Sequence, residues 1–396
     1  MNTNSPPTTR VSDDGMSITF REHTLSITAW RKGLAALASE IEEDLNSLCY
    51  GERFGMTIPN DIPDDWSVTT RGYSWAKNDP NKFGIIDDRP LLHAIFDDTH
   101  LALDAGNPNS DNLLLNHVLM RKLLAQCDSL NEKLALFAFF TAGQPPRILE
   151  FLDHKWANSV RPRTIFCHSE SEGKLPSLYL VIRRMKSESL TRKESFMPSK
   201  CHPVLTDLLM RYLLLVRPLE KDLIYHLMEG EERERAVQLY AEYMWMNSGK
   251  RVVGKDMYDS IRSFMVNSCG VNIGAHGYRQ LCVEIGRVFL GSEAEMKAEE
   301  LDALAAQMGH SARMARSRYA LEVGHLPAMS SDLLLRYGRI SEAWWEVTGF
   351  KPDTPPLLPL RSRQPGIDAV SQQKLLQDLL KLVTALNRKM EKSRQK

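Results

Sequence analysis

The chain lacks most of the short patterns that announce a function. It has no GxxxxGK[ST] phosphate loop, no GxGxxG, no HExxH and no GxSxG, which sets aside the commonest nucleotide, zinc-protease and serine-hydrolase signatures. Its six cysteines (Cys49, Cys127, Cys167, Cys201, Cys269 and Cys282) are far apart. No CxxC pair or zinc-type Cys/His spacing occurs, so no structural metal site is expected. No apolar run approaches the roughly 18 residues of a membrane span. The opening "MNTNSPPTTRVSDDG" has no apolar core of a signal peptide. A soluble intracellular chain with reduced thiols is the expectation, with no membrane partner. An excess of charge of either sign is also missing: Lys and Arg number 50, Asp and Glu 50. Any affinity for nucleic acid must then come from a local basic face.

What is there is a chain of 396 residues with 43% hydrophobic residues, enough for two or three domains with a real core. Residues 1–15 read as a disordered tail. "SITAWRKGLAALASEIEEDLNSLCYG" carries apolar residues at helical spacing and ends at Gly51. Residues 52–90 are rich in Pro, Asp and aromatics and read as irregular. "PLLHAIFDDTHLALDAG" and "SDNLLLNHVLMRKLLAQC" read as helices. A new helix is expected at Ser129, where Ser129 and Glu132 form a capping-box pattern. "GQPP" interrupts it, and another helix follows with Pro146 near its first turn.

The period then changes. "SLYLVIRRM" and "KESFMP" flank the polar turn "KSESLTR", a β-hairpin pattern with an earlier strand near "RTIFCHS". Helical patterns resume at "PVLTDLLMRYLLLVRP" and continue through "SEAWWEVTGF". The fold class is therefore mainly α with a small antiparallel hairpin or three-stranded sheet. The expected division is a helical N-terminal domain over 16–126 and a second domain over 127–350. A Pro-rich linker over 351–368 and a basic amphipathic helix over 369–396 follow. That last helix can self-associate or pack on its own domain. Trp30, Arg31 and Lys32, and the "RGYSWAK" stretch from Arg71 to Lys77, are basic-aromatic clusters that suit local packing or base contacts.

The residues that stand out are basic. They are Arg147 in "QPPRILE", His276 and Arg279 in "AHGYRQL", His310 in "MGHS" and Tyr319 in "SRYA". His276 and Arg279, three apart, share one helix face. His310 and Tyr319 are nine apart, about 900° and about 13.5 Å on a continuous helix, so they would point oppositely. Ser311 is a good N-cap, and a helix starting near Ala312 would free His310 to sit on the turn before it.

That order of residues resembles the catalytic domain of tyrosine recombinases, the phage-integrase family, over roughly residues 127–345. The family's boxes are Arg followed three residues later by Glu, a hairpin Lys, HxxR, and GH before a nucleophilic Tyr. Here they stand as "RILE", "RRMKSES", "HGYR" and "MGHSARMARSRY". The family usually shows TGxR in the first box, where this chain has "TAGQPPR". A narrower likeness is to crypton-like recombinase domains of eukaryotic mobile elements, carried by "GQPPR", "YLLLVRP" and "SEAWWEVTGF".

The resemblance implies an integrase-like catalytic domain whose N-terminal helical partner grips DNA from the opposite side. It implies that Tyr319 attacks a phosphodiester and forms a 3′-phosphotyrosyl link. Arg147 and Arg279 would clamp the non-bridging oxygens, for which planar, bidentate guanidinium is suited. His310 would donate a further hydrogen bond, and His276 would act as base or proton relay. Lys186 would protonate the leaving 5′-oxygen; Lys174 and Lys193 lie near the same hairpin and compete for that role. Arg313, Arg316 and Arg318 can touch DNA phosphates or form a solvated face. Glu150 would position Arg147. Rejoining reverses the path, so no metal, ATP or other cofactor is implied. The implied partners are double-stranded DNA and further copies of the chain, as a dimer or tetramer, wherever the cell keeps its DNA. Three other readings stay open: a relative that binds DNA without cutting, a type IB topoisomerase, and a helical scaffold.

Overall fold

A computed structural model describes residues 9–77, 80–85, 89–97, 117–169, 175–184, 195–290, 331–353 and 355–359. The protein is mainly helical, with small antiparallel sheets of two or three strands. Among the described residues, no helix is long and apolar enough to cross a membrane.

The chain starts with a three-stranded meander: β1 (Thr9–Val11), β2 (Ser17–Phe20) and β3 (His23–Ser26). This corrects two expectations. Thr9–Val11 falls in the segment read as a disordered tail, and the region read as purely helical opens on a sheet. Strands of three or four residues are too short to show a period of two. Yet Ile18, Phe20 and Leu25 are buried and anchor the sheet on the core.

Helix α1 (Ile27–Leu48) begins where Ser26 caps it, its side chain accepting from the Ala29 N–H. Ile27, Trp30, Leu34, Leu37, Ile41 and Leu45 form its buried stripe at three- and four-residue steps. Gly51, at φ +74°, turns the chain out of the helix and returns its N–H to the Asn46 carbonyl at 2.7 Å. A mostly irregular stretch follows, then α2 (Pro90–Asp97).

Helix α3 (His117–Thr141) is the central element and runs unbroken through Ser129. The capping box expected there is therefore not a helix start. Its polar neighbours are spent on tertiary bonds. Asp128 accepts from the Ser248 N–H and hydroxyl, Asn131 donates to the Met244 carbonyl and accepts from the Met246 N–H, and Glu132 accepts from the Ser260 hydroxyl. Residue 126, where the sequence reading divides the chain, lies inside α3. One buried cluster holds side chains from Ile18 to Val347, on both sides of that point.

After the short α4 (Ile148–Leu152) come β4 (Ile165–His168), β5 (Ser177–Arg184) and β6 (Ser195–Lys200). They form an antiparallel sheet in the order β4-β5-β6, with Ile165 opposite Leu180 and Ile182 opposite Met197. This is the expected hairpin with its earlier strand. Both faces are covered: Leu178 and Leu180 enter the main core, while Tyr179 and Val181 join Phe166, Tyr337 and Ile340 in a second cluster. That explains why "SLYLVI" reads as a near-continuous apolar run rather than a clean alternation.

Helix α5 (Pro203–Arg211) passes through a π-helical turn (Tyr212–Val216) into α6 (Arg217–Leu227). The Arg217 N–H bonds the Tyr212 carbonyl five residues back, and Pro218 has no N–H to continue an ordinary ladder. Helix α7 (Gly230–Glu242), the β7–β8 hairpin (Met246–Asn247 and Lys250–Arg251) and α8 (Gly254–Cys269) follow. Then come α9 (Ala275–Leu290) and α10 (Ser331–Thr348). Trp344 donates to the Phe140 carbonyl at 3.0 Å and Trp345 to the Lys200 carbonyl at 3.2 Å, pinning α10 to α3 and to the sheet.

Candidate functional site

The "GQPPR" loop joins α3 to α4 and is fixed from behind. The Gln144 amide donates to the Cys282 carbonyl on α9 at 3.4 Å, and the Arg279 Nε donates to the Pro145 carbonyl at 3.2 Å. Thr141, just before the loop, donates to the Phe137 carbonyl and meets the ring of His202 at 3.0 Å. Two prolines, which restrict their own φ and the preceding backbone, stiffen the approach to Arg147.

Arg147 occupies the N-cap position of α4, with φ −70° and ψ 140°. Its guanidinium pairs with Glu150 one turn on, at 3.1 Å, the two side chains being 35% and 17% exposed. Such a pair aims the arginine without burying it. Charge-assisted pairing keeps the planar donor fork oriented, and the remaining N–H groups are in reach of a second acceptor.

The "HGYR" stretch of α9 divides by face. Gly277 and Tyr278 point inward. A Cβ at Gly277 would come within 2.7 Å of the Ile273 side chain and 3.1 Å of Phe20, so glycine permits the approach of α9 to the amino-terminal sheet. The Tyr278 ring is fully buried and meets Phe140 edge-on at 4.6 Å. His276 and Arg279 take the other face, the histidine exposed and the arginine half-buried. The structure therefore brings the Arg279 side chain onto the loop that ends at Arg147, although the bonded residues lie 134 positions apart.

Three of the six candidate catalytic residues, Arg147, His276 and Arg279, belong to the described structure. Lys186, His310 and Tyr319 lie outside the described residues, as do Arg313, Arg316 and Arg318 and the alternative lysines Lys174 and Lys193. The described part thus joins Arg279 to the loop that ends at Arg147, with His276 one turn before Arg279 on α9.

In both basic-aromatic clusters the tryptophan serves packing. Trp30 is fully buried, and Arg31 donates to the Val347 and Leu357 carbonyls, its burial pulling its pKa down to about 10. Trp75 is buried, and the Lys77 ammonium sits 4.3 Å over the Trp156 ring. Sequence reasoning missed Gln144 as a tie between the loop and α9, because nothing in the sequence signals its partner there. It also missed the concave basic surface around Lys77, whose members are scattered over 150 residues with no shared motif.

No protein-family profile and no solved structure matches the chain.

Proposed function

We propose that the protein cuts and rejoins double-stranded DNA at specific sites through a 3′-phosphotyrosyl intermediate, as a tyrosine recombinase does. The observation that supports this most is the Arg279–Pro145 bond, which joins the HxxR helix to the loop presenting Arg147. Two arginines a third of the chain apart have no structural need to meet at one loop. A phosphoryl group entering a strand-transfer transition state does need two cationic forks.

In this reading Arg147 and Arg279 hold the scissile phosphate, His276 relays a proton, and Glu150 keeps Arg147 aimed. Tyr319 attacks, His310 adds a hydrogen bond, and Lys186 protonates the leaving 5′-oxygen. The integrase-like architecture and assembly of two or four copies on DNA belong to the same proposal. Rejoining is the reverse attack by a 5′-hydroxyl on the phosphotyrosine.

The test is a duplex nicked beside the cleavage point, which loses a short fragment and strands the enzyme on DNA. Wild type should form a covalent adduct resistant to denaturant, and Tyr319→Phe should form none. Binding of duplex with no adduct from either protein would favour the non-cutting relative. Relaxation of supercoiled plasmid regardless of sequence would favour the topoisomerase.

A further inference from the structure

A second concave site lies between the "RGYSWAK" stretch, the loop at Trp156 and the π-helical turn. The cavity measures about 370 Å³, within the ordinary range of small-molecule sites. Its floor is apolar, with Ile85, Leu213 and Leu214, and its rim is cationic, with Lys77, Arg89 and Lys221. None of the residues around Arg147 and Arg279 lines it.

Among the described lining residues, positive charge is in excess. Of the other lining residues, Arg89 is 3.7 Å from Asp222, and Arg217 is paired at 3.2 Å with the buried Glu220. Among the described residues, that leaves Lys77 and Lys221 without a carboxylate partner. Lys77 is held by a carbonyl and an aromatic face, donating to Ala241 at 3.0 Å and lying over Trp156, but by no carboxylate. Glu242, the acidic group nearest it in influence, is engaged by Arg71 and Gln238. Burial first, then the neighbouring Lys221, pull Lys77 down to about 8. Two mutually repelling ammonium groups over an apolar floor are costly for folding and complementary to a dianion with an organic body. The π-helical turn is the second observation: this rare distortion puts Leu213 and Leu214 into the cavity floor, and such turns recur at functional sites.

We propose that this cavity binds a small organic phosphate monoester of the nucleoside monophosphate class, with Lys77 and Lys221 on the phosphate and the leucine floor beneath the organic part. The site stands apart from the DNA reading and survives its failure.

The experiment is calorimetric titration of the full chain with AMP and, separately, with inorganic phosphate at pH 8, in two buffers of different ionisation heat. AMP should bind saturably at one site, more tightly than inorganic phosphate. It should take up protons as Lys77 regains its charge. Lys221→Gln, which removes a side chain with no protein partner among the described residues, should weaken AMP about tenfold with a melting temperature no lower than that of wild type. Lys77→Gln should weaken it at least as much and abolish the proton uptake. Absence of saturable AMP binding would overturn the proposal, as would equal affinity for inorganic phosphate or indifference to Lys221→Gln. A loss of duplex DNA binding in the lysine variants, with no AMP binding, would assign the cavity to the DNA backbone instead.

Discussion

Two stretches of this chain look nearly alike: "RILE" at Arg147–Glu150 and "RPLE" at Arg217–Glu220. Each opens a helix, and each pairs its arginine with the glutamate one turn on, at 3.1 and 3.2 Å. Their surroundings are opposite. The first pair is 35% and 17% exposed; the second is 0% and 0%. Arg217 also donates to the Met244 carbonyl, and the Tyr212 hydroxyl donates to Glu220 at 2.7 Å. Tyr212 in turn accepts from Asn131 in the middle of α3. The buried pair is thus the centre of a network that joins α3, the π-helical turn and the β7–β8 region. The exposed pair stands at the end of a buttressed loop with donor capacity turned outward. The same four-residue pattern serves architecture in one place and a candidate anion clamp in the other, and only solvent access separates them.

The largest expected effect comes from breaking the buried pair. Arg217→Met strands the Glu220 carboxylate and should cost about 3–5 kcal/mol, read as a shift in the urea midpoint. Adding Glu220→Leu to it should recover most of that loss, because removing both charges also removes their desolvation cost. A single variant as stable as wild type would mean the network is not what holds α6.

Breaking the exposed pair should do the reverse. Arg147→Ala should change stability by less than about 1 kcal/mol, as partly exposed ion pairs do. It should lower adduct formation on nicked duplex by about 10²–10³-fold, the usual effect of losing one oxyanion donor. Equal stability losses at Arg147 and Arg217 would erase the distinction between the two sites.

A smaller effect follows from pH. Burial holds His154 and His202 down at about 3, against an ordinary 6.5. A base depressed in the folded state leaves the unfolded chain binding more protons below 6.5, so stability falls as pH drops from there toward 3. The slope is up to about 1.4 kcal/mol per pH unit for each histidine. Glu220 runs the other way. Burial pushes it up to about 7 against the pull of Arg217, so its contribution is full below 4.5 and fades as pH rises toward 7. Urea unfolding between pH 5 and 7 should show a steeper net loss on acidification in Glu220→Gln than in wild type, since the opposing slope is gone.

The smallest expected effect is at the tie between the site loop and α9. Gln144→Ala removes one long hydrogen bond and should cost about 1 kcal/mol in thermal or urea unfolding. The same variant should reduce adduct formation more than it reduces stability, because it loosens the loop that aims Arg147. A proportionate loss in both would make Gln144 merely structural.

The elements that could be read from sequence were those whose pattern is long. Helix α1 shows its stripe over six turns and its end at Gly51. The β5–β6 hairpin shows through its polar turn. The meander of β1 to β3 did not, because three or four residues carry no period. The false helix start at Ser129 arose from a local signal overridden by tertiary bonds from Asp128, Asn131 and Glu132. At the site, His276 and Arg279 were legible as one helix face, and the structure adds that Gly277 and Tyr278 between them pack inward. "YLLLVRP" was legible as a family-like string, but its visible role is the buried network and the cavity floor. The buttressing of the loop was not legible, since neither Gln144 nor the Pro145 carbonyl carries a sequence signal for its partner on α9.

The central claim is that Tyr319 becomes covalently joined to DNA. Its most direct test is the mass of the DNA-linked peptide, after the adduct on nicked duplex is digested with nuclease and protease. The expected product is a nucleotide joined through its 3′-phosphate to the peptide containing Tyr319, absent when Arg147 or Arg279 is replaced by alanine. Attachment at another residue such as Tyr258 or Tyr337, or no attachment from a folded protein that binds the same duplex, would contradict it.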